Sequence, residues 1–317
     1  MIPAMTAAAA ASDRVSPGAR VNRRRREFIA AALAFAAPSL HAETAQRRPI
    51  PASGERIPVV GMGTWLTFDV GDGVAERAQR KAVLQAFFAA GGGMIDSSPM
   101  YGRAERVVGE LLPQATHDGR LFAATKVWTA FDRVGAAQID ESLRLWQLPR
   151  LDLLQVHNLL NWRAHLKTLR TARDAGRTRY IGVTSSHGRK HDEMATILKT
   201  EKIDFMQISY SLADASAEPL LDLAAERGVA VIVNRPYDGG HLFDRVGGEK
   251  LPPWAAEAGC ANWPEFLLKW VLAHPAVTCA IPATRQAVHM RENMAAGRGL
   301  LPDAMQRRRM QAYMAAL

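Results

Sequence analysis

From residue 57 onward the chain repeats one unit eight times, a short apolar run followed by an amphipathic helical stretch, and few architectures accept that pattern. The runs fall at 59–64, 93–97, 121–127, 151–157, 180–184, 205–210, 230–234 and 278–282. Between them apolar residues recur at helical spacing, for example over 105–112, 136–146, 162–175, 218–227 and 264–273. Gly91, Gly176 and Gly228 end helices, and Asn262 with Glu265 opens one as a capping box. Strict alternation of this kind means parallel strands joined by crossover helices. Eight such units close into a (β/α)8 barrel; a doubly wound open sheet is the alternative. No Gly-x-Gly-x-x-Gly follows the first strand, so the open-sheet reading lacks its phosphate loop. A hairpin over 48–52 and 57–60, turning at Ser53-Gly54, precedes the first unit.

The barrel does not include the beginning of the chain. Arg23 to Arg26 run through Glu27-Phe28-Ile29 into an apolar stretch over 30–37, followed by Pro38 and then Leu40-His41-Ala42. A positive region, a brief apolar region and a small residue at the cut together read as a secretory signal. The paired arginines before x-Phe-Ile resemble the twin-arginine export motif. The expected organisation is a leader over 1–42 and one barrel domain over 43–317, delivered to the periplasm by the twin-arginine machinery. The alternative is a cytoplasmic enzyme with a basic tail or a misplaced start. The apolar stretch is shorter than the roughly 20 residues of a membrane span, so no stable insertion is expected after cleavage.

Residues 43–317 number 275, near the roughly 250 typical of such barrels. A chain with 48% hydrophobic and 22% charged residues is globular. Its net charge of +9 would suit a polyanion, but the first 42 residues carry six arginines against two acids. What remains is spread along helices, and no nucleic-acid partner is expected. Two cysteines, Cys260 and Cys279, cannot build a disulfide scaffold and are expected to stay unpaired. There is no His-x-His or His-Glu-x-x-His, so no metal site is expected.

Barrel chemistry belongs at the C-terminal ends of the strands. There the sequence places Asp96 on strand two with Tyr101 just beyond, Lys126 on strand three and His157 on strand four. Alternation puts Gln155 beneath His157 on the same face. A carboxylate, a phenol, an amine and an imidazole from adjacent strand ends suit proton delivery to a carbonyl. The phenol is a weak acid, with an ordinary pKa of about 10. An adjacent ammonium is expected to lower it, and a carboxylate to hold that ammonium charged. The imidazole can orient the substrate oxygen. Singly, each residue has a plain alternative: a helix cap, a rim aromatic, a solvated amine, a core histidine. Four complementary groups on neighbouring strand ends are hard to assemble by accident.

With these residues placed, the sequence resembles the aldo/keto reductases from Ile57 to its C-terminus. The resemblance rests on Gly61-Met-Gly-Thr-Trp65, on Asp96-Ser-Ser-Pro-Met-Tyr-Gly102 followed by Ala104-Glu-Arg-Val-Val-Gly109, on Ala124-Thr-Lys126, on Gln155-Val-His157, and on Ile281-Pro282 with Glu292-Asn293. It implies nicotinamide-dependent carbonyl reduction with Tyr101 as general acid, Lys126 and Asp96 tuning it, and His157 positioning the carbonyl. It implies cofactor contacts from Gly63, Thr64, Asp96, Ser185, Gln207, Asn234, Arg235, Pro236, Pro282, Thr284, Arg285, Glu292 and Asn293. The chain departs from the family at Thr184-Ser185, at Asn234-Arg235-Pro236, and at Ala283-Thr284 and His289. The lysine and arginine that usually face the 2′-phosphate are thus absent, which leaves Arg285 to favour NADP(H) over NAD(H).

The loops suggest a shallow, aromatic-sided pocket for a small carbonyl substrate. Trp65, Trp128, Asn158 and Tyr237 are the expected substrate contacts, with Trp162 as further wall. The long connection over 236–262 also carries His241, Phe243 and Trp254, and long ordered loops are usually functional. A cofactor-binding redox sensor on the same barrel, turning over slowly, is the alternative function.

Overall fold

In the computed structural model the described residues are 44–317; the expected leader lies outside them. The chain enters through an antiparallel hairpin, β1 (Arg47–Pro49) and β2 (Arg56–Pro58), with Arg48 opposite Ile57. Gly54, at φ +74°, takes the left-handed turn position that a Cβ would strain. Ile50 and Ile57 from this hairpin join Met94, Phe122, Leu153, Phe205 and Ile232 in one buried apolar cluster. The Arg48 guanidinium also donates to the carbonyls of Leu272 (2.6 Å) and His274 (3.1 Å). The hairpin therefore plugs the barrel floor rather than standing apart from it.

Eight parallel strands follow. They are β3 (Met62–Gly63), β4 (Met94–Asp96), β5 (Phe122–Val127), β6 (Leu151–Val156), β7 (Thr178–Thr184), β8 (Phe205–Ser209), β9 (Ala230–Asn234) and β10 (Val277–Ala280). They are hydrogen-bonded in sequence order, each to the next. The ring is nearly closed. Its two edges meet through isolated parallel bridges, Val60 with Ala280 and Gly63 with Ala283. The first strand is shorter than its apolar run suggests because glycines occupy this joint. A Cβ on Gly63 would stand 2.8 Å from the Ile281 carbonyl oxygen, and one on Gly61 2.9 Å from that of Met94. The remaining strands agree with the apolar runs to within two residues at either end, which is the scatter of element ends generally.

The crossover helices are α1 (Val74–Ala89), α2 (Ala104–Leu111), α3 (Gly135–Trp146), α4 (Trp162–Asp174), α5 (His191–Thr200) and α6 (Glu218–Glu226). The short α7 (His241–Val246) precedes α8 (Trp263–Leu272), and α9 (Ala287–Ala295) and α10 (Ala304–Ala316) complete the chain. Half of the capping box expected at α8 is present: Asn262 accepts from the Glu265 amide at 2.9 Å. The Glu265 carboxylate returns to the amide of Ala261, one residue before the cap, at 3.0 Å. Helix α2 lies so close to α3 that a Cβ on Gly109 would fall 1.9 Å from the Leu145 oxygen. That contact matters because α2 begins three residues after Tyr101. Cys260 and Cys279 are both free and buried; burial pushes the Cys260 thiol up to about 11 and raises that of Cys279 as well, which disfavours the reactive thiolate at both.

Candidate active site

A cavity of about 730 Å³ opens at the C-terminal ends of the barrel strands. At its base lies the group of four that adjacent strand ends predict. Lys126 on β5 is fully buried, and its Nζ donates to Asp96 Oδ2 at 2.5 Å and to the Ser97 carbonyl at 2.8 Å. The other oxygen of Asp96 accepts from Gln207 Nε2 (2.9 Å) and Gln155 Nε2 (3.2 Å). Every oxygen of this buried carboxylate is thereby satisfied, as a charge in a low-dielectric interior requires. Burial opposes the charge of Lys126, but Asp96 and then Tyr101 outweigh it and hold its pKa above the ordinary lysine value.

Tyr101 sits in the loop after β4, lines the cavity, and has Lys126 Nζ 5.0 Å from its ring centroid. The expected direction of its titration is reversed. Burial raises the phenol pKa, and the nearby ammonium only partly opposes that rise. The phenol therefore holds its proton through the neutral range. His157, directly after β6, meets Tyr101 edge to face with ring centroids 5.6 Å apart. Burial, reinforced by the charge of Lys126, pulls its pKa down to about 2, so the imidazole is neutral. The site thus combines a protonated phenol, a fixed ammonium and an uncharged imidazole.

The cavity wall is drawn from several further strand ends. Gly63, Thr64, Trp65, Gln207, Asn234, Arg235, Pro236, Pro282 and Arg285 line it, as do Asn158 and Tyr237. Thr64 is buried, its hydroxyl bonded to the Asp96 carbonyl at 3.0 Å. Leu66, Asn158 and Arg235 hold positive φ (58°, 54° and 50°) without being glycine, right after β3, β6 and β9. Such strain persists only where the surroundings enforce it, and it commonly marks working sites.

Other expected contacts are turned elsewhere. Ser185 donates its hydroxyl to the Arg189 carbonyl, and Thr284 accepts the Gln286 amide at 3.1 Å ahead of α9. Asn293 is buried and accepts from the Tyr237 hydroxyl at 2.7 Å, tying the long connection to α9. Trp128 stands on the rim, 42% exposed, its backbone held by Gln138. None of these four, nor Glu292, lines the cavity. Trp162 belongs to α4, with its indole bonded to Glu193 at 2.8 Å, and forms no pocket wall. Trp254 packs against Phe266 and Tyr313, so only Tyr237 and Phe243 of the long connection's aromatics reach the mouth.

Sequence reasoning missed Ser98, Met100, Ser186, His187 and Arg189. The last three line the cavity from the loop after β7, and the rule that strand ends carry function would have found them.

The family model described as "Aldo/keto reductase family" matches residues 59–312. A methylglyoxal reductase of Escherichia coli is 27% identical over 259 residues, covering 79% of this chain and 89% of that protein. An aldose reductase of Encephalitozoon cuniculi is 24% identical over 275 residues, covering 76% and 86%. Among solved structures, an aldo/keto reductase of Klebsiella pneumoniae in complex with NADP and acetate superimposes with a TM-score of 0.70 at 24% identity, covering 82% of this chain and 93% of that one.

Proposed function

This chain belongs to the aldo/keto reductase family, and from that premise we propose that it reduces small aldehydes or ketones, preferring NADPH, with Tyr101 as proton donor. The observation that carries this reading is the phenol kept protonated beside a buried ammonium at the base of an open cavity. Bound NADPH would supply the hydride. The chain's own residues do the rest. His157, neutral, can donate a hydrogen bond to the carbonyl oxygen but cannot give up a proton as an acid. Tyr101 gives the proton, and the phenolate that forms is stabilised by Lys126, which Asp96 keeps charged and in place.

The residues present fit such a cofactor. Gly240 leaves open space on the wall, where a Cβ would meet nothing within 4 Å, and Arg235 and Arg285 supply positive charge there. Arg235 is paired with Asp238 at 3.0 Å, whereas Arg285 makes no ion pair among the described residues. The relative with bound NADP supports the same choice. Arg285→Ala should therefore weaken NADPH binding by about ten- to a hundredfold, the worth of a charged hydrogen bond, and leave NADH nearly unaffected. Fluorescence titration of both cofactors measures it; equal affinities in the parent protein would remove the preference altogether.

The overall reading is tested by screening carbonyl compounds for NADPH oxidation by the purified protein. Sustained turnover supports a reductase. One rapid equivalent followed by silence would make it a cofactor-binding sensor. For the pattern from Arg23 to Ala42 we propose export of the folded, cofactor-loaded enzyme by the twin-arginine route, since nicotinamides are made and recycled in the cytoplasm. Nucleotide extracted from periplasmic protein tests this; cofactor-free protein there, or an uncut cytosolic chain, would refute it.

A further inference from the structure

Ser98 is fully buried in the loop between β4 and Tyr101, and its Oγ lies 2.8 Å from Nδ1 of His157. The same Oγ accepts the Met100 amide at 3.1 Å, while the Ser98 carbonyl accepts the amide of Tyr101 at 2.9 Å. One tight turn, with Pro99 at its second position, thus aims the phenol and touches the imidazole.

The protons in this contact can be counted. A hydroxyl has one donor and two acceptor sites, and a neutral imidazole has one donor nitrogen and one acceptor nitrogen. Were Nδ1 protonated, Ser98 would accept from both His157 and Met100. Its own proton would then be buried with no acceptor among the described residues, an expensive omission. With the hydroxyl donating to Nδ1, both the hydroxyl and Nδ1 are satisfied. The remaining proton of His157 then sits on Nε2, which has no protein partner among the described residues.

From this the geometry points to Ser98 as a positioning residue that selects the Nε2–H tautomer of His157, so that the imidazole meets the substrate carbonyl as a hydrogen-bond donor. This rests on the proposed reduction. Without the selection, a neutral imidazole would spend part of its time offering a lone pair to the carbonyl oxygen, where it repels. Burial and Lys126 keep the ring from carrying both protons, so tautomer choice is the only control left.

The test is nitrogen NMR of the full protein labelled in histidine, with the His157 signals identified by their loss in His157→Gln. The parent should show Nδ1 as an unprotonated acceptor and Nε2 protonated. Ser98→Ala should mix the two forms and lower kcat by up to about tenfold with NADPH affinity unchanged, and Ser98→Thr, which keeps the hydroxyl, should restore both. A parent protonated on Nδ1, or a Ser98→Ala protein with unchanged tautomer and rate, overturns the assignment. The parent spectrum decides even if Ser98→Ala fails to fold. If His157→Gln reduces carbonyls at the parent rate while the tautomer is as stated, the function assigned to His157 fails and the Ser98 contact stands.

Discussion

Tyr101→Phe is expected to cost about 10² to 10⁴ in carbonyl turnover, the usual worth of a positioned general acid. That corresponds to about 3 to 5 kcal/mol of transition-state stabilisation. The change removes one oxygen and keeps the ring that packs beside His157, so NADPH affinity and melting temperature should stay near those of the parent. The pH profile of the parent carries the same information. With Tyr101 as the proposed donor, reduction needs the phenol protonated, and burial raises its pKa, so activity should persist through neutral pH and fall only on the alkaline side. His157, held neutral down to about 2, should add no step in the neutral range. Steady-state rates of both proteins across pH decide the matter. A Tyr101→Phe enzyme with parental turnover would mean that another group delivers the proton.

Lys126→Met should be as damaging to the reaction, and damaging to the fold as well. Lys126 and Asp96 are 0% and 2% exposed and paired at 2.5 Å. Removing one member of a buried pair leaves the other uncompensated, typically at about 3–5 kcal/mol. In a domain of this size each kcal/mol moves the melting temperature by about 2–4 °C, so a drop on the order of 10 °C is expected. Turnover should fall at least about a hundredfold, the lower end for losing acid catalysis. Adding Asp96→Asn should return much of the stability without returning turnover, because the buried charge is gone but the phenolate still lacks its ammonium. Thermal melts and rates on the two variants separate these effects. A stable, active Lys126→Met protein would show that the pair matters to neither.

The barrel was legible in the sequence because its strands are buried on both faces and so read as continuous apolar runs; 230–234 matches β9 residue for residue. The four groups at the cavity base were legible for a related reason. Parallel strands in register bring Asp96, Lys126 and His157 to one end once the strands are aligned. What the sequence conceals is the competition between terms. Spacing shows that Lys126 lies near Tyr101, but only the packed structure shows burial outweighing that ammonium. The outer wall was similarly hidden. Thr284, Ser185 and Asn293 are polar residues at plausible positions, yet each spends its hydrogen bond inside the protein. Which partner a hydroxyl or amide takes depends on a few tenths of an ångström that spacing does not encode.

The joint where the ring meets itself bears on how the molecule comes apart. Between Val59 and Gly63 on one side and Ala280 and Ala283 on the other, backbone bonds such as Gly61 N–H to the Ala280 oxygen (2.8 Å) and Gly63 N–H to the Pro282 oxygen (3.2 Å) are shared by short, glycine-containing segments. Folds open locally where the fewest bonds must break, and this joint carries fewer ladder bonds than the strand pairs elsewhere in the ring. The wall of the cavity includes both sides of it, Gly63 and Thr64 from one edge and Ile281 and Pro282 from the other. A molecule lying across that wall would act as a clasp on an open cuff, and its release and the parting of the staves would become one coupled event. Saturating NADPH at a hundred times its Kd would add about 2.7 kcal/mol to the closed ring. The amides of Gly61, Gly63 and Ala280 should then exchange with solvent correspondingly more slowly than in the bare protein, while floor amides opposite the joint change least.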